Sequence, residues 1–274
     1  MSGFKRAVAL CLVLCLCFSS FAHAKRNSKK SSASRVSAKA YVVVDADDGH
    51  ILYGKNPDLK LPPASTTKVM TVLIAREKLP MDKRIVIGRN AADTQKSKAG
   101  LTPGASYSAR DLIMAALVAS SNDAAVALAE AASGSEREFV NLMNLKARKL
   151  GMNDTFFVNS TGLTDATREQ YTTAYDLTKL MRAAMKDKHL DEMMEILDLT
   201  ITGSDGRTIA LRAHNKMLWK TPKFIKGKTG WTYASQHTFV GTDYAGKSIA
   251  FAILSSQKPW TDIERLVKIG LSYR

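Results

Sequence analysis

The two ends of the chain carry the hydrophobic patterns of β-strands. Near the start, the β-branched run Tyr41–Val44 and the apolar stretch Ile51–Tyr53 flank the turn sequence Asp47-Asp48-Gly49. Two apolar runs joined by a DG turn are typical of a hairpin, so the fold is expected to open with antiparallel strands. Strand patterns return late in the chain, at 200–211 around Asp205-Gly206 and then at 225–232, 238–242 and 249–255.

The middle of the chain has the period of amphipathic helices. Apolar residues from Val69 to Leu79 recur every three or four positions between Pro62-Pro63 and Pro80, which predicts a helix beginning at about Ser65. Further helix starts are predicted by Ser108 with Asp111, by Ser135-x-x-Glu138, at Thr173 and by Thr261-x-x-Glu264.

This order of elements predicts an α/β protein of the α+β type. An antiparallel sheet flanked by helices would be built from both ends of the chain, with an all-helical lobe inserted between them. The sheet lobe is expected at about 40–87 and 208–274, and the helical lobe at about 88–207. Because 274 residues are too few for several independent domains, residues 40–274 are expected to form one catalytic domain.

The N-terminus has the layout of a secretory signal peptide at residues 1–24. Basic Lys5 and Arg6 precede the apolar run Ala7–Phe18, and Ala22-His23-Ala24 has the small residues of a cleavage site. The alternative is an uncleaved membrane anchor, but this run is shorter than a spanning helix needs. We therefore expect an exported protein, periplasmic or otherwise extracytoplasmic, with no permanent membrane anchor after cleavage.

Charge and cysteine content restrict the partners further. The formal net charge is +15, and residues 25–39 are rich in Lys, Arg and Ser with no acid, which predicts a basic disordered linker attracted to anionic wall polymers or lipid headgroups. Nucleic acid is not expected as a partner, since no aromatic residues interleave with these charges. Cys11, Cys15 and Cys17 all lie within the predicted signal peptide, so the mature protein is expected to use no cysteine chemistry.

The segment Ser65-Thr66-Thr67-Lys68 places a hydroxyl and an amine three residues apart at the predicted helix start. Both side chains would then lie on one helix face, and the positive end of the helix dipole would favour an uncharged lysine that activates the serine. An ordinary helix cap explains an isolated match equally well, and the same spacing occurs at Ser2 to Lys5 and at Ser255 to Lys258. Alone, this motif is weak.

Two further motifs follow in the order that penicillin-recognising serine enzymes require. Ser120-Ser121-Asn122 offers a hydroxyl for proton relay and an amide for substrate, although it also fits a polar link between two helices. Lys228-Thr229-Gly230 offers a cation and a hydroxyl for a terminal carboxylate, with a glycine that lets a substrate lie along the strand edge. Three motifs in order predict a serine peptidase.

From residue 40 to the end, the chain resembles the low-molecular-mass penicillin-binding D-alanyl-D-alanine carboxypeptidases, whose fold is shared with β-lactamases. Beyond the three motifs, the resemblance rests on the segments Pro63–Thr71, Leu101–Gly104, Ser108–Leu112, Phe157–Leu163, Tyr171–Leu177, Asn215–Leu218 and Lys226–Thr232. Two positions depart from the family. Ser160-Thr161 stands where many relatives have Pro-His, and Lys258 is the closest candidate for an arginine found near the relatives' pocket.

The resemblance implies a role for each residue of the motifs. Ser65 would be the acyl-ester nucleophile, Lys68 its proton acceptor and Ser120 a further catalytic residue. The implied substrate-binding residues are Asn122, Lys228, Thr229, Gly230 and Trp231. The backbone N–H groups of Ser65 and Trp231 would form the oxyanion hole.

The implied substrates are peptidoglycan stem peptides ending in D-Ala-D-Ala, with β-lactam antibiotics as inhibitors. No cofactor or metal is expected, because the five histidines lack zinc-peptidase spacing. A D,D-endopeptidase that cuts cross-links is the main alternative. A β-lactamase is less favoured because no Glu-x-x-Leu-Asn pattern is present. A non-catalytic wall-binding protein is also less favoured, and the sequence does not determine the oligomeric state.

Overall fold

A computed structural model describes residues 36–95, 97–220, 225–243 and 249–273. The predicted signal peptide and residues 25–35 of the predicted linker lie outside this part of the chain. The described residues from Ser37 onwards form one compact unit. Among the described residues, no helix combines the length and the apolar character needed to cross a membrane.

Strands occur near both ends of this unit and in short pairs between them. In chain order they are β1 (Ala40–Asp45), β2 (Ile51–Lys55), β3 (Arg84–Val86), β4 (Ser106–Ser108), β5 (Asp198–Thr202), β6 (Thr208–Arg212), β7 (Ile225–Thr232), β8 (Gln236–Asp243) and β9 (Ile249–Ser256). Five of them form an antiparallel sheet in the order β2-β1-β9-β8-β7, while β3 pairs with β4 and β5 with β6. Strand β7 is therefore an edge of the main sheet.

The sheet joins the two ends of the chain, which confirms the predicted fold class. Strand β1 pairs with β2 in the predicted hairpin and with β9 on its other side, where Val42 lies opposite Ala252. Side chains alternate between the two faces of the sheet. Val42 lies on the face that packs against helices in the main core. Val43 lies on the other face, where Gly270 packs so closely that an added Cβ atom would lie only 2.6 Å from it.

The helices are α1 (Lys68–Lys78), α2 (Arg89–Ala92), α3 (Ala109–Val118), α4 (Asn122–Ser133), α5 (Glu136–Lys149), α6 (Ala174–Ala184), α7 (Lys188–Met193), α8 (Lys216–Lys220) and α9 (Pro259–Leu271). Two predicted caps are present, since Ser108 Oγ accepts from Asp111 N at 3.0 Å and Ser135 Oγ accepts from Glu138 N at 3.2 Å. Helix α9 begins at Pro259 rather than Thr261, because proline is favoured in the first helical turn.

The end of the predicted linker belongs to the folded unit. Ser37 donates from its N and Oγ atoms to the buried carboxylate of Asp262, at 3.0 and 2.6 Å, and Lys39 N donates to Leu254 O at 3.1 Å. The linker prediction is therefore wrong for Ser37–Lys39. These polar residues are ordered because they have specific hydrogen-bond partners within the fold, and amino-acid composition alone does not reveal such partners.

Candidate active site

Ser65 lies in a short 3₁₀ turn, Ala64–Thr67, that leads directly into α1. Ala64 has a φ of +48°, in the left-handed region that non-glycine residues rarely adopt. The carbonyl oxygen of Pro63 holds the turn by accepting from Thr66 Oγ1 at 2.7 Å and from Thr238 Oγ1 on β8 at 3.0 Å. The strained backbone thus presents the half-buried Ser65 from a turn tied to the sheet.

Lys68 is fully buried and its amine has three oxygen neighbours. Its Nζ atom lies 2.9 Å from Ser65 Oγ, 2.7 Å from Asn122 Oδ1 and 2.8 Å from the carbonyl oxygen of Thr161. The predicted proximity of this amine to the Ser65 hydroxyl is therefore present in the structure.

The environment of Lys68 favours its neutral form. Burial lowers the pKa of Lys68 well below its usual value, and the charge of Lys228 lowers it further, while Asp123 opposes the shift. The position of Lys68 at a helix start predicts that the helix dipole favours the uncharged lysine, but the largest cause in the structure is loss of solvent. A neutral amine beside a serine hydroxyl is equipped to act as a general base.

The second motif lies between α3 and α4. Ser120 is buried, has a φ of +58°, and its Oγ atom accepts a hydrogen bond from Lys228 Nζ at 2.8 Å. Asn122 uses its Oδ1 atom for Lys68 and donates from Nδ2 to the carbonyl oxygen of Gln95 at 3.0 Å. The amide of Asn122 therefore orients the lysine, and its expected contact with substrate stays a prediction.

The third motif lies on edge strand β7. Lys228 is buried, and its amine also donates to the carbonyl oxygen of Thr229 at 2.7 Å. Burial lowers the pKa of Lys228 to about 7. Lys228 and Ser120 are thus in contact across 108 positions of sequence, and the edge of β7 is available for an extended peptide to pair with.

Gly230 lets β7 approach the turn Ala64–Thr67, called the nucleophile turn below because it carries Ser65. A Cβ atom at Gly230 would lie 2.7 Å from Ser65 N and 3.0 Å from the Cβ atom of Ala64, so a side chain would push the strand away. The next residue, Trp231, has an indole that is 48% exposed. The structure therefore places the strand carrying Trp231 beside the backbone N–H of Ser65, as an oxyanion hole made from these two residues requires.

Residues 159–163 contribute to the site in a way that the sequence does not predict. Asn159 Oδ1 accepts from the N and Oγ1 atoms of Thr161 and from Gly162 N, at 3.2, 3.1 and 2.7 Å. This turn points the carbonyl oxygen of Thr161 at Lys68. A backbone acceptor has no residue-specific signature, so the spacing of side chains could not have identified it.

The open cleft around Ser65 has a volume of about 1550 Å³, and apart from Trp231 the lining residues named below were not predicted from the sequence. Its lining includes several groups that carry or can gain positive charge and is rich in aromatic residues. They are Lys98, Arg212, His214, Lys216, Trp219, Trp231, Tyr233, His237 and Trp260. Lys258, the candidate for the relatives' arginine, is exposed and is not part of this lining. The positive charges suit a substrate that carries carboxylates.

One described group has three side chains close enough to share a cation, Asp45, Asp48 and His50 near the β1–β2 turn. The carboxylates of Asp45 and Asp48 accept from Asp47 N and His50 N, both at 2.8 Å, and so stabilise the turn. This turn joins β2, at the sheet edge opposite β7. It therefore has no part in the Ser65 cleft.

The chain is similar to known D-alanyl-D-alanine peptidases. The family model Peptidase_S11, described as D-alanyl-D-alanine carboxypeptidase, matches residues 26–256. The chain is 32% identical over 247 residues to the D-alanyl-D-alanine carboxypeptidase DacF of Bacillus subtilis, an alignment covering 88% of this chain and 63% of DacF. It is 28% identical over 287 residues to a D-alanyl-D-alanine endopeptidase of Escherichia coli, covering 97% of this chain and 92% of that protein.

A solved structure shows the same fold. The crystal structure of a D-alanyl-D-alanine carboxypeptidase from Mycobacterium tuberculosis H37Rv superposes with a TM-score of 0.81 at 30% sequence identity. The match covers 86% of this chain and 92% of that one.

Proposed function

Because the chain belongs to the Peptidase_S11 family of D-alanyl-D-alanine carboxypeptidases, we propose that it hydrolyses the terminal peptide bond of peptidoglycan stem peptides ending in D-Ala-D-Ala. The reaction proceeds through an acyl-enzyme at Ser65. β-Lactam antibiotics acylate the same hydroxyl and so inhibit the enzyme.

The observation that carries this proposal is the set of acceptors around Lys68. Asn122 Oδ1 and the carbonyl oxygen of Thr161 can only accept, so each takes one N–H of the amine. A neutral amine has two N–H groups and one lone pair. Once both N–H groups are used, the lone pair is directed at Ser65 Oγ, 2.9 Å away, and can take the hydroxyl proton.

Acylation then follows from the positions of these groups. Ser65 Oγ attacks the carbonyl carbon of the penultimate D-alanine while its proton passes to Lys68. The backbone N–H groups of Ser65 and Trp231 stabilise the oxyanion. As the C–N bond breaks, the proton that Lys68 took from Ser65 passes through the hydroxyl of Ser120 to the leaving amine, and Lys68 becomes neutral again. Lys228 orients that hydroxyl at 2.8 Å.

Hydrolysis of the ester completes the cycle. Water attacks the acyl carbon, Lys68 accepts a proton from the water, and the proton returns to Ser65 as its oxygen leaves. During binding, Lys228 and Thr229 hold the terminal carboxylate, and the peptide pairs with the free edge of β7 beside Gly230.

An endopeptidase activity is the second candidate. The cleft volume of about 1550 Å³ exceeds the roughly 300–1,000 Å³ of a typical small-molecule site. A cross-linked pair of stem peptides needs such room on both sides of the scissile bond. The similarity to the Escherichia coli endopeptidase, which spans nearly all of both chains, also favours this candidate.

We also propose that the protein works in the extracytoplasmic space, where peptidoglycan lies. Residues 1–24 would act as its signal peptide, and the basic residues that follow would attract the mature protein to anionic wall polymers. Mass spectrometry of the secreted protein checks this, since the expected N-terminus is Lys25.

The central test compares Ser65→Ala with Ser121→Ala. Ser121 is a matched control, because it is buried nearby and its Oγ atom has no hydrogen-bond partner among the described residues. Ser65→Ala should fold normally, release no D-alanine from a D-Ala-D-Ala peptide and form no adduct with fluorescent penicillin. Ser121→Ala should retain both activities, and D-alanine release by Ser65→Ala would refute the assignment.

A cross-linked muropeptide dimer tests the second candidate with the same three proteins. Cleavage of the dimer by the unsubstituted protein and by Ser121→Ala, but not by Ser65→Ala, would establish endopeptidase activity at the same serine. An intact dimer alongside released D-alanine would limit the protein to the carboxypeptidase reaction.

A further inference from the structure

We propose that Glu136 is a positioning residue for catalysis, which acts through Ser160 and Thr161 to keep the amine of Lys68 aimed at Ser65. The inference rests on the proposed function. Glu136 is the first residue of α5 and touches none of the reacting groups, so its effect must pass through the backbone of residues 160 and 161.

The carboxylate of Glu136 fixes Ser160 by two hydrogen bonds to one oxygen atom. Ser160 N donates to Glu136 Oε1 at 2.9 Å, and Ser160 Oγ donates to the same atom at 2.6 Å. Ser160 is completely buried. Because a buried N–H without a partner destabilises the fold, the carboxylate of Glu136 is needed to hold this backbone in place.

A second attachment joins Ser160 to the helix that carries the catalytic amine. Thr71 Oγ1 donates to the carbonyl oxygen of Ser160 at 2.6 Å. Thr71 lies three residues after Lys68 on α1, so both side chains share one face of that helix. Ser160 is therefore held between α5 and α1, through its N–H and hydroxyl on one side and its carbonyl on the other.

The next carbonyl along the chain is the one that contacts the amine. The carbonyl oxygen of Thr161 accepts from Lys68 Nζ at 2.8 Å, and Thr161 is itself 2% exposed. If the bond to Glu136 is removed, Ser160 loses its own attachment to α5, and the nearest remaining attachment to that helix is the pair of 2.9 Å hydrogen bonds between Asn144 and the backbone of Phe157. The carbonyl of Thr161 can then withdraw. Lys68 then loses one of the two acceptors that orient its lone pair.

The expected consequence has two parts. Misorientation of Lys68 lowers the rate of acylation, by about 10- to 100-fold for a displacement approaching 1 Å. Losing an acceptor also destabilises the protonated amine more than the neutral one, so the acid limb of the pH–rate profile moves to lower pH. The other titratable groups that act on Lys68 are Lys228, Asp123 and His214, and all three stay unchanged in the test.

The experiment measures the second-order rate constant for acylation by fluorescent penicillin as a function of pH. The rate is expressed per active site, and mass spectrometry gives the number of active sites as the amount of protein that carries the Ser65 adduct. Glu136→Ala should show the lower rate and the shifted acid limb. Glu136→Gln should recover most of the rate, because its amide oxygen can still accept from Ser160. Glu138→Ala is the matched control, since Glu138 lies on the same helix but contacts Arg137 and Asn141.

A normal rate and a normal acid limb in Glu136→Ala would overturn the proposal. A lower yield of active protein with unchanged kinetics would also overturn it, since that result indicates a purely structural role. If Glu136→Ala does not fold, Glu136→Asp withdraws the carboxylate by one methylene and must show the same two effects. Absence of any adduct in the unsubstituted protein would refute the proposed function, a result distinct from these.

Discussion

Substitution of Gly162 by alanine tests whether the turn at 159–163 must touch the nucleophile turn. Gly162 has a φ of +82°, and an added Cβ would overlap the carbonyl oxygen of Ala64 and lie 2.8 Å from Thr67 Oγ1. Both neighbours belong to the 3₁₀ turn that carries Ser65. Relief of the clash must therefore move either the turn that holds Thr161 or the turn that presents the nucleophile.

The magnitude follows from two separate costs. An L-residue in the left-handed region costs about 1–2 kcal/mol. Forcing an extra methyl into a packed site adds about 1–3 kcal/mol, so Gly162→Ala should lose about 2–5 kcal/mol of unfolding free energy in total. A displacement near 1 Å at the reacting groups should slow acylation by about 100-fold.

Gly134 offers a matched control for the first cost alone. It also has a φ of +82°, but its added Cβ meets nothing within 4 Å. Gly134→Ala should therefore lose about 1–2 kcal/mol and keep a normal rate of acylation. Urea unfolding gives the stability of each variant, and the reaction with fluorescent penicillin gives the rate.

The comparison between the two variants decides the outcome. If Gly162→Ala is no less stable than Gly134→Ala and reacts with penicillin at the normal rate, the close contact between the two turns does not constrain the site. Equal losses of stability combined with a slow reaction would show that geometry, rather than overall stability, limits the enzyme.

The two buried amines and their partners lead to three further predictions. Acylation should fall at acidic pH as Lys68 gains a proton, and binding of carboxylate-terminated peptides should weaken above about pH 7 as Lys228 loses its proton, giving a bell-shaped profile of kcat/KM. A flat profile would contradict this. Lys228→Met should raise the Tm most at neutral and acidic pH. Because the pKa of Lys228 falls from 10.5 to about 7 on folding, the unfolded state binds more protons between these values, and the stability of the unsubstituted protein should rise across that range. If the difference in Tm between Lys228→Met and the unsubstituted protein does not shrink as the pH rises towards 10.5, the lowered pKa of Lys228 does not limit stability. Asn122→Ala should slow acylation by about 100-fold, because Lys68 loses an orienting acceptor, and a normal rate would show that this acceptor is dispensable.

Local patterns were enough to predict much of the secondary structure. The β1–β2 hairpin and the caps at Ser108 and Ser135 depend on residues within a few positions of one another. The same holds for Ser65 and Lys68, since a spacing of three at a helix start already places both side chains together. The start of α9 was missed, because the proline rule and the capping rule compete over the same few residues.

The hydrogen-bond partners of the functional side chains could not be predicted from the spacing of residues along the sequence. The spacing of the motifs gives no partner for the hydroxyl of Ser120, which in the structure accepts from Lys228, 108 positions away. The contact between Asn122 Oδ1 and Lys68 was not predicted either, and the substrate-binding role of Asn122 stays a prediction. Which of several nearby polar atoms pair depends on backbone positions that only the packed elements determine. Residue type alone limits the set of partners without choosing among them.

The sequence by itself determined the strand and helix pattern, the order of the three motifs and, through the family resemblance, the kind of reaction to expect. The tertiary structure decided the chemistry of the amines. Lys68 is an ordinary lysine in an isolated helix, and its pKa falls because other elements enclose it and exclude water. The carbonyl of Thr161 and the close approach of Gly230 are likewise backbone features. They exist only when segments distant in sequence pack against one another, because every residue has the same backbone groups and only the fold selects which ones meet.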